Sequence, residues 1–355
     1  MSEPIRYAVI GTGMMGCEHL LNLGLLPDAA VTAIADSNET SRGWGRSVAG
    51  AGVQVYEDYR ELLRHAPVEA LVVATPNFTH FEVLQEVFWT GKHVLVEKPL
   101  CTRVEDCHHV VEAAARHPGV VWVGMEYRYM RAVARLIDEV AHGTVGRVRM
   151  IAIREHRFPF LTKVDDWNRF NRNTGGTLVE KCCHFFDLMN LIAAQRPTRV
   201  YASGAQDVNH LDERYDGATP DIIDNAFTIV DYDGGTRAML DLCMFAEHSR
   251  HEVEIAVTGE RGKVEAFMPD DVVVISPRDG SAPTRLRFDL DPAVQQAGAH
   301  HGATYFEHVA FQRAIREGTR AAVGVEAGAL AVGIGAAAEQ SIREGRPVTL
   351  AELGF

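Results

Sequence analysis

The first third of the chain carries short, continuous apolar runs separated by longer amphipathic stretches. Residues 7–10, 31–35, 70–74, 93–97 and 120–123 are runs of strand length without polar alternation, and residues 53–56 add a shorter one. Cys17, Leu20, Leu21, Leu23 and Leu26 follow the first run in a helical pattern, and Asp58 is placed to cap a short helix. Val/Leu runs apolar on both faces and separated by helices predict a parallel sheet covered on both sides. Beyond Gly124 the pattern changes. A helix is predicted over 131–141, a long strand over 147–155 and a second helix over 178–194. Strand runs then follow closely at 199–205, 226–232, 236–245, 252–258, 263–267 and 272–276, with hairpin chemistry at Asp233-Gly234-Gly235. The polar stretch 207–221 reads as a loop, and helices over 304–317 and 325–344 close the chain. The expected architecture is a doubly wound α/β domain of Rossmann type over 1–124. An α+β domain with a large, mostly antiparallel open sheet follows over 125–355, its terminal helices free to pack back on the first domain.

Composition narrows the function. A length of 355 residues suits two domains, and 46% hydrophobic with 23% charged residues is an ordinary globular balance. Disorder, collagen-like repeats and small disulfide scaffolds are thereby excluded. Lys and Arg total 35 against 48 Asp and Glu, a net charge of −13, which argues against nucleic acid and anionic membrane as partners. The longest apolar run, residues 327–338, is about a dozen residues, too short for a bilayer core. Met1-Ser2-Glu3-Pro4 has no basic region, so no leader is expected. The six cysteines form no C-x-x-C pair. Reduced thiols and a cytoplasmic location are the expectation.

Gly11-Thr12-Gly13-Met14-Met15-Gly16 follows the first strand and opens the first helix. Glycines there permit a tight turn and close approach of a pyrophosphate to backbone N–H groups at a helix N-terminus. Asp36 ends the second strand, 20 residues past Gly16, with Ser37 beside it. A carboxylate at that point accepts from ribose hydroxyls and repels a 2′-phosphate, favouring NAD over NADP. Arg42 lies nearby and softens that preference.

Ala74-Thr75-Pro76-Asn77-Phe78-Thr79-His80 follows the fourth strand, and Glu97-Lys98-Pro99-Leu100 the fifth. Both fall at carboxyl ends of parallel strands, where open α/β sheets bind ligands. In this order and spacing, with the glycine motif, they resemble the glucose–fructose oxidoreductase / inositol dehydrogenase / MocA family over nearly the whole chain. The resemblance implies an NAD(P)-binding domain, a C-terminal open-sheet domain and reversible oxidation of a secondary hydroxyl on a sugar or cyclitol. It implies cofactor contacts from Gly11 to Gly16, from Asp36, Ser37 and Arg42, from Thr75, Pro76, Asn77 and His80, and from Glu97 and Lys98. It matches its lysine to Lys98 and its D-x-x-x-H-x-x-D pattern to Glu180, His184 and Asp187. Glu180 departs from the usual aspartate by one methylene. The family needs no metal, and no metal-ligand spacing accompanies Glu180, Cys183 and His184. Dimers or tetramers formed through the C-terminal sheet are common in it.

The chemistry of the residues agrees. Positions 180, 184 and 187 are spaced i, i+4, i+7 and so share one helix face. Oxidation of a carbinol needs a base for the O–H proton, and histidine titrates near neutrality. A lysine can hold the same oxygen and stabilise negative charge on it. The expectation is His184 as proton acceptor and Lys98 as the polarising group. Glu180 would then hold a neighbouring hydroxyl or orient His184, and Asp187 would fix the histidine tautomer. Polyol contacts are expected from Tyr127 and Arg128 after the last Rossmann strand, with Glu126 beside them, and from His156, Trp167 and His301. His80 is expected to pack by the cofactor loop. Two rival readings stand beside the dehydrogenase. One is an NAD-dependent glycosidase working by oxidation, elimination and reduction. The other is a dinucleotide-binding regulator without activity.

Overall fold

The computed structural model describes residues 3–355; Met1 and Ser2, part of the segment read above as carrying no leader, lie outside them. The chain runs β1 (Ile5–Ile10), α1 (Met14–Gly24), β2 (Ala29–Ala35), α2 (Glu39–Ala49), β3 (Gln54–Tyr56), α3 (Tyr59–His65), β4 (Ala70–Val73), α4 (His80–Phe88), β5 (His93–Glu97), α5 (Val104–Ala114) and β6 (Val121–Gly124). It continues α6 (Arg131–Ala141), β7 (Val148–His156), α7 (Asn171–Thr174), α8 (Thr177–Glu180), α9 (Cys183–Ala193), β8 (Pro197–Ala205), β9 (Asn225–Tyr232), β10 (Arg237–Cys243), β11 (Val253–Gly259), β12 (Gly262–Met268), β13 (Val272–Pro277) and β14 (Thr284–Arg287). It ends α10 (Pro292–Gln296), α11 (Ala303–Glu317), α12 (Val325–Glu344) and β15 (Val348–Thr349).

Two compact units result. The first holds the residues up to Glu126, a short segment Lys163–Trp167, and Leu290–Ala329; the second holds Tyr127–Thr162, Asn168–Asp289 and Leu330–Phe355. The chain thus re-enters the first unit twice, where sequence patterning placed a single division after residue 124.

In the first unit six parallel strands lie in the order β3-β2-β1-β4-β5-β6. Val9, Val72 and Leu95 are fully buried in its centre, as runs apolar on both faces require. Asp58 caps α3 as its spacing predicts, accepting from the Arg60 N–H at 2.9 Å. The strand order reverses between β1 and β4, which opens a crevice at their carboxyl ends. α11 packs on this unit through Phe311, whose ring lies 5.9 Å from that of Trp122 and 6.4 Å from that of Tyr7. Trp122 Nε1 donates to Glu307 at 3.1 Å, which satisfies a fully buried indole N–H.

In the second unit nine strands lie in the order β14-β13-β12-β11-β7-β10-β9-β8-β15. All pairings are antiparallel except β7 with β10. Ile151, Ile153, Val200, Val230, Leu240 and Leu242 alternate onto the buried face. The other face carries Tyr201, Phe227, Ile229 and Met239, all exposed. The helix expected over 178–194 is broken: α8 ends at Glu180 and α9 begins at Cys183. Cys182 becomes the N-cap of α9, its carbonyl accepting from the N–H groups of Phe185 and Phe186. Adjacent cysteines are weak helix formers, and the ladder gives way there. Among the described residues, no helix is long and apolar enough to cross a membrane.

Candidate active site

The glycine motif forms a cradle whose members have different constraints. Gly11 has φ +87°, and a Cβ on it would meet the Ala74 carbonyl at 2.6 Å. A Cβ on Gly16 would lie 1.9 Å from the Gly11 oxygen. These two glycines are demanded by the protein's own packing. Gly13 is not: a Cβ there meets nothing within 4 Å. Gly13 is also the N-cap of α1 and offers no side-chain acceptor to the first helical N–H groups. The space above it and the donors behind it, from Met14 and Met15 onward, suit a pyrophosphate. Thr12 is fully buried below the motif, its Oγ1 donating to the Ser41 carbonyl at 2.8 Å.

Asp36 follows β2 and is tied into this turn. Its Oδ2 accepts from the Thr12 N–H at 2.6 Å and its Oδ1 from the Asn38 N–H at 2.8 Å. Each oxygen keeps acceptor capacity for a ribose hydroxyl. Ser37 is exposed beside it, and Arg42 Nη1 donates to the carbonyls of Asp36 at 2.7 Å and Ser37 at 3.1 Å.

The turns after β4 and β5 are joined by His80, whose ring nitrogens lie 3.0 Å from the Thr75 carbonyl and 2.9 Å from that of Pro99. Thr75 Oγ1 accepts from Thr79 Oγ1 at 2.8 Å, beside Pro76, which precedes the 3₁₀ turn Asn77–Thr79. Asn77 is 7% exposed, and its Nδ2 has no partner among the described residues. A buried amide donor of that kind is costly unless a ligand satisfies it. The residues present therefore fit a bound dinucleotide. Trp167 belongs to the same unit and packs edge-on against Phe78, with ring centroids 6.2 Å apart.

Lys98, half-buried at the carboxyl end of β5, donates its backbone N–H to Glu97 Oε2 at 3.0 Å. Glu97 is buried, yet the His19 hydrogen bond at 2.9 Å and the Lys98 charge hold its carboxyl below the usual range. His19 Nδ1 in turn meets His308 Nε2 at 2.9 Å. A second chain of contacts involves Glu18, half-buried His300 and Glu126. Glu18 Oε1 meets His300 Nδ1 at 2.8 Å, and His300 Nε2 lies 3.7 Å from Glu126 Oε1. Burial, reinforced by the Glu97 charge and opposed by His300 and Lys98, pushes Glu126 up to about 7. Neither Glu18 nor His19 figured among the sequence expectations. Both sit on α1 among apolar neighbours, and only their partners on distant segments reveal them. His301 is half-buried in a left-handed backbone conformation with φ +52°.

The second unit joins Tyr127 to His184 and Arg128 to Asp187. His184, in the first turn of α9, is 2% exposed, and its imidazole lies flat against the Tyr127 ring, centroids 4.2 Å apart at an interplanar angle of 5°. Glu180 is buried at the end of α8. The helix is interrupted between Glu180 and His184, which sit on two consecutive helices, while His184 and Asp187 share α9. Both Asp187 oxygens accept from Arg128, at 2.6 Å from Nε and 2.5 Å from Nη2. Burial raises the Asp187 carboxyl even so. Both Asp187 oxygens are thus engaged by Arg128, a partner that spacing alone did not indicate. His156, the last residue of β7, faces Asp241 across the sheet, with Nε2 at 3.0 Å from Oδ1.

Comparison with known proteins agrees with this geometry. Residues 5–125 match the NAD-binding Rossmann-fold model of the Gfo/Idh/MocA oxidoreductases, and residues 137–350 match the model of their C-terminal alpha/beta domain. The chain belongs to this oxidoreductase family. Myo-inositol 2-dehydrogenase of Thermotoga maritima is 28% identical over 352 residues, 98% of this chain and 99% of the relative. The scyllo-inositol 2-dehydrogenase (NAD(+)) of Bacillus subtilis is 24% identical over 357 residues, 99% of this chain and 97% of the relative. Among solved structures, a levoglucosan dehydrogenase in complex with NADH and levoglucosan superposes with a TM-score of 0.86 at 18% identity, covering 98% of this chain and all of the other. An oxidoreductase domain protein from Kribbella flavida does so with 0.86 at 21%, with the same coverage.

Proposed function

We propose that this chain is an NAD-dependent dehydrogenase that reversibly oxidises a secondary hydroxyl of a sugar, cyclitol or related polyol to a ketone. The observation that carries the reading is the carboxyl edge of the first sheet. There the open cradle at Gly13, the buried Asn77 amide and Lys98 follow β1, β4 and β5 in turn. The names of the relatives support an inositol or an anhydro-sugar as the kind of substrate.

Gly11 to Gly16 and Asn77 would hold NAD, with Asp36 on its ribose hydroxyls. NAD is preferred to NADP because an anion at Asp36 opposes a 2′-phosphate. Bound there, NAD supplies the acceptor for the hydride leaving the carbinol carbon. The chain's own groups manage the proton and the oxygen. Lys98 Nζ donates to the reacting oxygen and stabilises the negative charge that grows on it. An imidazole nitrogen of His184 takes the hydroxyl proton and returns it in the reverse direction. Glu180 accepts from a neighbouring hydroxyl, and Tyr127, Arg128, His156, Trp167 and His301 contribute to substrate contacts. No step needs a metal.

Absorbance of reduced nicotinamide tests the reading, with purified protein, NAD or NADP, and a panel of inositols, aldoses, anhydro-sugars and glycosides. Signal with one or a few polyols, lost in His184→Asn, is expected. NAD binding without signal from any of them would overturn it and turn attention to aglycone release or to a regulator. Wild-type turnover in His184→Asn would remove His184 from its role.

The exposed sheet face fits a homo-oligomer. Met239 pairs with Ile229 across β10 and β9, Ile229 pairs with Tyr201 across β9 and β8, and Phe227 adjoins them. Such a contiguous apolar face calls for a cover, and a second copy of this chain supplies the symmetric one.

A further inference from the structure

Lys181 figured in none of the sequence expectations. Leu178, Val179, Cys182, Cys183 and Phe185 around it are fully buried, and Lys181 itself is 8% exposed. A lysine in such surroundings needs partners. Its Nζ lies 2.9 Å from Glu155 Oε1 and donates to the Tyr127 hydroxyl at 3.2 Å. Glu155 is fully buried on β7, and Arg157 Nη1 reaches the same oxygen at 3.3 Å. One carboxylate thus meets two cations, and Glu252 adds a second negative charge beside Arg157. Tyr127, gripped by its hydroxyl, is the ring that lies flat on His184.

Packing alone accounts poorly for this lysine. An apolar side chain of similar volume would avoid the desolvation of an ammonium. What the lysine does provide is a hold on the phenol that stacks on the imidazole, and an ammonium three residues along the chain from it.

We propose that Lys181 is a positioning residue for His184: through Tyr127 it fixes the orientation of the imidazole, and its charge favours the neutral, proton-accepting form. This rests on the reading of His184 as the proton acceptor. The titratable groups linked to His184 within this unit are Tyr127, which stacks on it, Glu180 at the end of α8, Lys181 with its partner Glu155, and Asp187 one turn along α9. Asp187 is matched by the Arg128 fork. Glu180 opposes the cation, so removing Lys181 leaves its negative charge dominant.

The test uses the full chain saturated with NAD and histidines labelled with nitrogen-15. The His184 imidazole signal is assigned by its loss in His184→Gln. Lys181→Met should raise the titration midpoint of that signal by about 0.5 pH or more. With a polyol identified by the absorbance panel, the same variant should lower kcat about tenfold while KM changes by less than about threefold. Tyr127→Phe keeps the ring and loses the link to Nζ, so it should reproduce the kcat loss, and the two losses should not multiply in the double variant. Should Lys181→Met fail to fold, Tyr127→Phe carries the rate prediction. An unchanged midpoint and rate in Lys181→Met, with only a lower melting temperature, would overturn the proposal while an inactive His184→Gln left the proton-acceptor reading standing. Wild-type turnover in His184→Gln would overturn both.

Discussion

Gly13→Ala and Gly16→Ala differ by one methyl group placed three residues apart, and they should fail in opposite ways. At position 16 the new Cβ would lie 1.9 Å from the Gly11 oxygen and 2.8 Å from its carbonyl carbon. Neither atom is a flexible side-chain end, so α1 must move away from the turn. Overlap on rigid backbone costs about 3 kcal/mol or more, at the upper end of overpacking. At position 13 the methyl meets nothing within 4 Å. Alanine is a poorer N-cap than glycine by a few tenths to about 1 kcal/mol. It also restricts the unfolded chain, which offsets about 0.4–1 kcal/mol of that. The net effect on the fold is therefore close to zero. A methyl group above the α1 N-terminus does displace a pyrophosphate from the backbone donors. Losing one charge-assisted hydrogen bond of about 1.5–3 kcal/mol weakens binding about ten- to a hundredfold. Melting without cofactor and calorimetric titration with NAD separate the two effects. Gly16→Ala should melt about 6 °C or more below wild type. Gly13→Ala should melt with wild type and bind NAD at least about tenfold more weakly. Wild-type NAD affinity in Gly13→Ala would refute the placement of the pyrophosphate.

Asp36→Asn removes the charge that opposes a 2′-phosphate while Arg42 stays on the carbonyls of residues 36 and 37. The NAD-to-NADP ratio of kcat/KM should fall about tenfold or more, read in the same absorbance assay. Glu126 carries a folded-state value of about 7 against 4.5 when unfolded. A raised carboxyl contributes stability that is complete below 4.5 and is lost as pH rises through 7. Glu126→Gln should therefore gain on wild type between pH 5 and pH 8, by up to about 3 kcal/mol, in melts taken across that range. Asp187→Asn removes the buried carboxylate that the Arg128 guanidinium holds at 2.5 Å and should cost about 3–5 kcal/mol, visible as early loss of the second unit in denaturant. Phe227→Glu with Ile229→Lys should leave the fold intact and yield monomers by light scattering; an unchanged assembly would show that the sheet face is not the interface.

The first unit was legible because its signals are local. Residues 70–73 and 94–96 are apolar on consecutive positions, as a strand buried on both faces requires, and each strand is followed by a turn motif. The glycine spacing carried the same kind of information, since Gly11 and Gly16 are fixed by contacts within a few residues or to the adjacent strand. Elements with weak local signals were missed. β15 has only Val348 and Thr349, and it exists because β8 offers an edge for Val348 to pair with Val200. β7 and β10 read as strands, but their parallel pairing is a matter of sheet order, which no alternation encodes.

The break between α8 and α9 separates what spacing can say from what it cannot. Helical periodicity places Glu180, His184 and Asp187 on one face only if the hydrogen-bond ladder runs through residues 181 and 182. Nothing in the apolar pattern forbids that, because every residue from 177 to 189 is buried whichever way it turns. Periodicity carries information only where one side of an element is polar, and here both sides are core. The decision passes to the polar side chains caught inside, which must find partners. Lys181 finds Glu155 and Tyr127, and Asp187 finds Arg128. A buried segment dense in ionisable residues is therefore the place where a sequence best announces a site and least reveals its geometry.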